Sequence, residues 1–459
     1  MIDSLNNIQQ YNYNTIKGVS ASKLGNSSEN NALQATNPMI NSLPFNSANT
    51  VIKRRSELVS DDEKLKYTEL SKVLDKNTRK QLELLLKNGI LLNSDSNDRS
   101  TVLDNLYKMA TTPRAEGLST VGLLKDTIST ISYPFVITQQ FGDIPYNYRN
   151  KALIANTEGE SNLVKKYEAQ KDIDVEHSGT CVAASIEFNL AEKMPAEFAR
   201  FAEGLSSPEM SVKKTIKLRN LADHALDAIW LLNAFEIPYE TNNFDSALLT
   251  FAPDKNAIIR AQIQTTNKDM LERSPLDVLM QSTFMQVGSQ QSYNSLTDKR
   301  QGKFNQNDKG LIEFEKTFTE SVVEDKSKLS ITYQTVDENA RLVGYETDFD
   351  TMKKHLLTAL DMGENVIIGY TQVDQNNIII NGHEITIIGY KYQPDGKLIF
   401  ICNDTDDNMT APVEYSEDYL LPKIHHAALP ESIVADDLTV TPNWVEGLEI
   451  YKEMKDKAA

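Results

Sequence analysis

Apolar positions in the stretch SDDEKLKYTELSKVLDKNTRKQLELLLKNGILL follow a helical beat: Leu65, Leu70, Val73, Leu74, Leu82, Leu85 and Leu86 fall at near-helical spacing. Asn88-Gly89 supplies a stop, so two or three short helices are expected to run to about residue 110. The segment TTPRAEG reads as a connector, and ISYPFVITQQFGDIP, β-branched and aromatic, as a strand ending in a turn. A helical pattern opens at Cys181, breaks at Pro195 and continues through AEFARFAEGL. KTIKLRNLADHALDAIWLLNAFEI predicts a further helix, because its leucines, alanines and Trp230 recur every three or four residues. Residues 240–345 are polar, with glutamine-rich pieces such as MQVGSQQSYNSLTDKRQGKFNQND, and predict loops that elaborate a core domain.

The final third carries the clearest pattern. FDTMKKHLLTALDMGENVIIGYTQ predicts an amphipathic helix closed by Gly363 and followed by a buried strand, and NGHEITIIGYKYQPDGKLIFICND a hairpin turning at Pro394-Asp395-Gly396. A helical front half and an antiparallel back half together predict an α+β fold, with no fixed-period repeat.

Composition refines this picture. At 459 residues the chain has room for two or three structural units. Residues 1–58 form an Asn/Ser-rich head, with eleven asparagines in the first fifty residues and too few large apolar side chains to offset the entropy of ordering. A helical segment over 59–112 and a main domain over 113–459, with an insertion at about 240–345, complete the division. The 65 acidic and 47 basic residues give a net charge of -18, which argues against nucleic acid and anionic membranes as partners. No apolar run reaches the roughly 20 residues of a membrane span, and MIDSLNNIQQYNYN lacks the basic start and apolar block of a secretory signal. A cytoplasmic location and signal-independent export are both compatible with that.

The two cysteines cannot build a disulfide framework or a multi-cysteine zinc site, although a Cys181–Cys402 bridge stays open. No metal-ligand spacing or phosphate-binding glycine loop stands out, so no cofactor is expected. Cys181 sits where the loop HSGT becomes a helix, where unpaired backbone N–H groups favour thiolate; Ser178 or Thr180 is placed to cap that helix. The plain alternative is a small buried apolar residue, which is the reading for Cys402 in its apolar strand. A nucleophilic thiol needs a base, and histidine suits neutral pH. Of the six histidines, His177 shares the cysteine's loop, His224 and His355 fall in helical patterns, and His425-His426 follow a proline near an expected surface turn. His383 heads a strand whose hairpin partner ends in Asn403-Asp404, so the turn near residue 395 brings His383 and Asn403 together, with an amide oxygen to fix the imidazole tautomer and Asp404 as the alternative orienter.

The set GTCVAAS, NVIIGY, GHEITIIGY and ICND resembles the papain-like cysteine peptidases over about residues 133–192 and 348–408, roughly a quarter of the chain. The resemblance implies a helical subdomain carrying the cysteine and an antiparallel β subdomain carrying the histidine and asparagine. It assigns the nucleophile to Cys181, the base to His383 and the orienter to Asn403, with a protein or peptide substrate. Three features depart from the family. Val175 stands where an oxyanion-binding glutamine is usual, which moves that role to Gln140 or Gln139, with Gln170 less attractive. No tryptophan follows the asparagine in NDTDDN, and His383 lies 202 positions after Cys181. By the same resemblance the 59–112 segment is either a propeptide covering the groove or a docking domain. A transglutaminase-like acyltransferase and a degenerate papain-fold scaffold are the alternatives to a peptidase.

Overall fold

The computed structural model describes residues 55–140, 179–241, 243–263, 272–302, 309–406 and 410–434. The asparagine-rich head up to residue 54, Gln170, Val175, His177 and Ser178 lie outside them.

Four helices open the described chain: α1 (Asp61–Val73), α2 (Lys76–Lys87), α3 (Val102–Thr111) and α4 (Thr120–Ser132). Their starts follow from local chemistry. Ser60 and Glu63 form a reciprocal capping box, as do Thr101 and Asp104, and the Asp75 carboxylate accepts the amides of Asn77 and Thr78. Gly89, at φ +71°, takes the left-handed conformation that stops α2 at the expected Asn-Gly. Of the predicted stripe, Leu70, Leu82 and Leu85 are buried, whereas Leu65 and Val73 face solvent. Of the strand predicted over 131–145, the described part, 131–140, is not formed; residues 141–145 lie outside the described residues. Helix α4 occupies its start, a single 3-10 turn spans Pro134–Val136, and residues 137–140 run on without strand pairing.

Next come α5 (Cys181–Lys193) and α6 (Pro195–Leu205), divided at the expected proline, then β1 (Val212–Lys217), α7 (Ala225–Ala234), β2 (Tyr239–Glu240) and β3 (Ser246–Phe251). The long helix expected from residue 214 is shortened: VKKTIK buries every second side chain as an edge strand of the β1-β3-β2 sheet, and the helix begins only after His224. The described residues of 240–345 form regular elements, many of them in the core, rather than elaborating loops. They contribute α8 (Ala257–Ile263), α9 (Pro275–Gly288), α10 (Glu313–Glu324), β4 (Lys328–Thr332), β5 (Gln334–Val336) and β6 (Leu342–Tyr345). Helices α9 and α10 are buried around nearly their whole circumference, and α10 carries its charges inward as pairs such as Lys328 with Glu320 and Glu324.

Helix α11 (Phe349–Asp361) ends at Gly363, φ +85°, and leads into β7 (Val366–Val373), β8 (Ile379–Tyr392) and β9 (Leu398–Asn403), as the pattern predicts; β10 (Val413–Ser416) and β11 (Ile424–Pro430) follow. These strands and β4 form an antiparallel six-stranded sheet in the order β10-β9-β8-β7-β11-β4. The fold is therefore α+β with antiparallel sheets. The large sheet divides two cores. Ile367, Ile388 and Ile401 pack with the helices, while Ile368, Ile385, Phe400 and Cys402 pack under α11. The 59–112 segment shares the first core with α5 and α6 and is clamped to them through Lys108–Glu203 at 2.8 Å and the Asn97 amide N–H on Glu197 at 2.9 Å. Among the described residues no helix is long and apolar enough to cross a membrane.

Gly363 isolates a purely conformational contribution, because a Cβ there would meet nothing within 4 Å. Gly363→Ala is expected to cost about 1 kcal/mol, the penalty of an L-residue at positive φ, read as a lower denaturation midpoint with an unchanged slope.

Candidate active site

Cys181 is the first residue of α5 and is 5% exposed. First-turn amides have no acceptor within their own helix, so the thiol sits at the positive end of the α5 dipole. Thr180 does not cap the helix as expected. Its backbone is at φ −92°, ψ 16°, and its hydroxyl donates to Gln281 Oε1 at 2.8 Å. Gln281, on α9, connects three parts of the site: its Nε2 also donates to the Thr138 carbonyl at 2.8 Å and to Glu187 Oε2 at 3.1 Å. The loop ahead of the cysteine is held from the same region of the chain. Gly179 N–H donates to Asp298 Oδ2 at 2.6 Å, and Tyr293 Oη donates to Asp298 Oδ1 at 2.8 Å. Gly179 also admits a close backbone approach, since a Cβ there would lie 2.5 Å from Lys309 Cβ and 2.8 Å from Gly310 N.

Opposite the helix end stands His383. Its Nε2 lies 2.7 Å from Asp404 Oδ1, and Cys181 is among the side chains that act on its ring. With Nε2 engaged by the carboxylate, Nδ1 is the nitrogen left for the thiol. Asp404 Oδ1 also accepts the Asp406 amide at 3.0 Å, which fixes the carboxylate within its own turn. Burial disfavours the imidazolium, but the Asp404 charge and hydrogen bond, joined by Cys181, outweigh it and carry His383 well above its ordinary 6.5. Asp404 responds in the opposite sense: burial alone would raise it, yet His383 holds it below its ordinary 3.8.

Asp404, rather than Asn403, meets the His383 ring, and the β pairing explains why. Residues paired across strands share a face, and Asn403 pairs with Thr386. His383 precedes Thr386 by three positions and so belongs to the opposite face, whereas Asp404, one step beyond Asn403, returns to it. Asn403 is buried, and its Nδ2 has no hydrogen-bond partner. The two glutamine candidates are tied to the Asp404 turn. Gln140 Nε2 donates to the Asp406 carbonyl at 2.9 Å and to its carboxylate, while Gln139 is buried and donates its backbone N–H to the Thr405 carbonyl at 2.9 Å. Thr138 Oγ1 donates to that same carbonyl at 2.9 Å, so the ITQQ segment fastens the turn that carries the acid.

Beneath Cys181, α5 carries Glu187, whose carboxyl is pushed well above its ordinary 4.5 by burial and by Asp277; burial also raises Asp277 to about 6. Cys402 is buried in the second core, where desolvation and Asp404 raise its thiol far above the ordinary value, and both cysteines are free. His224 is exposed, and His355 is buried with its Nδ1 3.1 Å from Tyr333 Oη. His425 and His426, expected at a surface turn, are instead buried in β11.

Sequence reasoning missed Gln281 and Asp298. The Ser274-Pro275-Leu276-Asp277 capping box was the available signal for α9, which places Gln281. No protein-family model, curated protein or solved structure matches the chain.

The site predicts a substitution asymmetry. Asp404→Asn is expected to slow thiol alkylation of Cys181 by on the order of tenfold or more, the usual scale for loss of an orienting partner, while Asn403→Ala leaves it near wild type. Stopped-flow labelling on Cys402→Ala backgrounds measures both. The same pair sets a pH window. The lowered Asp404 stabilises the fold above about pH 4 and loses its effect in acid, and the raised His383 stabilises below about pH 6.5 and loses its effect as pH climbs through its higher folded value. The stability gap between wild type and Asp404→Asn, about 2 kcal/mol for a charged hydrogen bond, is therefore expected to be widest from weakly acidic to neutral pH and to close in strong acid.

Proposed function

We propose that the chain is a thiol hydrolase of peptide bonds, a divergent papain-like cysteine peptidase in which Asp404 takes the orienting place. The observation that carries this reading is a single constellation: a helix-opening cysteine whose side chain acts on that of a histidine, itself held at Nε2 by a carboxylate. Each part has a chemical role. Cys181 Sγ gives its proton to His383 and attacks the amide carbonyl carbon, and the oxygen that gains charge is met by the Cys181 backbone N–H at the positive end of α5. His383 then protonates the departing amine as the C–N bond breaks, leaving a thioester. Water, deprotonated by His383, attacks that thioester and restores the thiol with release of the acid.

Gln140 and Gln139 serve the acid's turn in this scheme rather than the oxyanion. The hydroxyl-to-amide link from Thr180 to Gln281 fixes the approach angle of the helix end. Exchange of water for an amine acceptor would turn the same thioester into a transfer product, so acyl-enzyme partition with added primary amine separates hydrolase from acyltransferase.

The test is intact-mass analysis after a limiting dose of an epoxide inhibitor of cysteine peptidases. A single adduct on Cys181, absent in Cys181→Ala and His383→Ala, is expected. No adduct on the folded wild type, or equal labelling of Cys402, sinks the catalytic reading and leaves a scaffold that keeps its binding after Cys181→Ala.

A further inference from the structure

A second set of polar groups lies on the large sheet, separate from Cys181. Registers across four strands set Glu384, Gly369, His426 and Thr332 in one row: Glu384 pairs with Gly369, Gly369 with His426, and His426 with Thr332. Gly369 is the gap in that row. A Cβ there would come within 2.3 Å of His426 Cε1 and 2.4 Å of its Nδ1, so the imidazole occupies the space a side chain would take. Consecutive strand residues ordinarily point to opposite faces, but the register of β11 against β7 shifts between Ile424 and His426, and this bulge lets His425 share a face with His426.

Both imidazoles converge on Glu313, in the first turn of α10. His425 Nδ1 is 2.7 Å and His426 Nδ1 3.5 Å from Glu313 Oε1, and the two ring nitrogens are 3.0 Å apart. All three residues are buried. One ligand atom from each of the three residues lies within 4.8 Å of the other two, a spacing that one ion can bridge. Ligands about 2.0–2.1 Å from a tetrahedral zinc ion stand roughly 3.3 Å from one another, close to this triangle.

We propose that Glu313, His425 and His426 bind one divalent first-row transition-metal ion of the zinc type. The surrounding groups orient the three donors as second partners do around such ions. His426 Nε2 is 3.1 Å from Glu384 Oε1, Thr332 Oγ1 donates to the other Glu313 oxygen at 2.9 Å, and Lys316 Nζ sits 3.3 Å from Glu384 Oε2. A nitrogen-and-carboxylate donor set without thiolate favours zinc, cobalt or nickel over copper(I) or calcium. The ion ties β11 to α10 and, through Glu384, to β8 next to His383.

The test uses the untagged full-length chain, stripped with a chelator, desalted and titrated with cobalt(II) or zinc(II). One ion per chain by elemental analysis, a tetrahedral cobalt ligand-field band and a higher thermal midpoint after loading are expected. Glu313→Gln and His426→Ala are expected to weaken binding by on the order of tenfold to a hundredfold. Should either variant misfold, Thr332→Val and Gly369→Ala, which keep all three donors, are expected to lower affinity. Failure of the folded wild type to take up a stoichiometric ion, with no shift of its midpoint by zinc, cobalt, nickel or manganese, overturns the proposal. Stoichiometric binding that persists in Glu313→Gln and His426→Ala but disappears in Cys181→Ala also overturns it, because the ion then sits at the thiol.

Discussion

The register of β8 between β7 and β9 is the constraint on which both polar sites depend. Once Thr386 faces Asn403 and Glu384 faces Gly369, alternation leaves little freedom. His383 is committed to the acid that follows Asn403, and Glu384 to the row that runs toward His426. A slip of one residue would exchange these roles, setting Glu384 against the turn and burying His383 among aliphatic side chains. The sheet therefore selects which carboxylate each histidine meets before any local geometry is refined.

The thiol depends on a second frame, built by a part of the chain far from it in sequence. Gln281 and Asp298 satisfy the donors around Thr180 and Gly179, and Lys309-Gly310 pack against the glycine. Each is a buried polar contact whose loss leaves an unpaired group in a low-dielectric interior, so the loop is expensive to displace. Nearby, burial raises both Glu187 and Asp277 above their ordinary carboxyl values, so the interior around α5 disfavours a pair of negative charges.

Much of this was legible in the sequence, for physical reasons that vary by region. Caps and glycine stops are local, so the helices from Asp61 to Lys87 and the strands after Gly363 could be read directly, and so could the cysteine at a helix start, whereas His383, expected at the head of its strand, lies inside β8, which begins at Ile379. The Asp404 partnership was also present, but reading it required counting face parity along β8 rather than proximity across the hairpin. Helix α4 was hidden because TVGLLKDTISTIS is rich in β-branched residues whose weak helical preference is overruled by packing. Residues 240–345 looked superficial because hydropathy counts Arg300, Glu315, Lys316 and Glu320 as solvent-seeking, whereas Arg300 and Glu315 meet at 2.6 Å with neither exposed. Charge pairing in the interior is a long-range fact that no window along the chain contains. The same blindness concealed His425-His426, since their significance lies in a strand bulge and a glycine on the neighbouring strand.

The connector after α3 has consequences for how the N-terminal helices relate to the rest. Ala115 is buried and its amide donates to the Ser206 carbonyl at 2.8 Å, while Arg114 reaches the Glu203 carbonyl at 2.7 Å. Leu70, Leu82 and Leu106 lie in the same apolar cluster as Val182 and Phe198. A backbone so engaged cannot enter a protease cleft in extended form without first being peeled away, and a single nick there would leave the two pieces associated by the surface they bury in common. Such a cut would yield a clipped, two-chain particle held together by that shared surface.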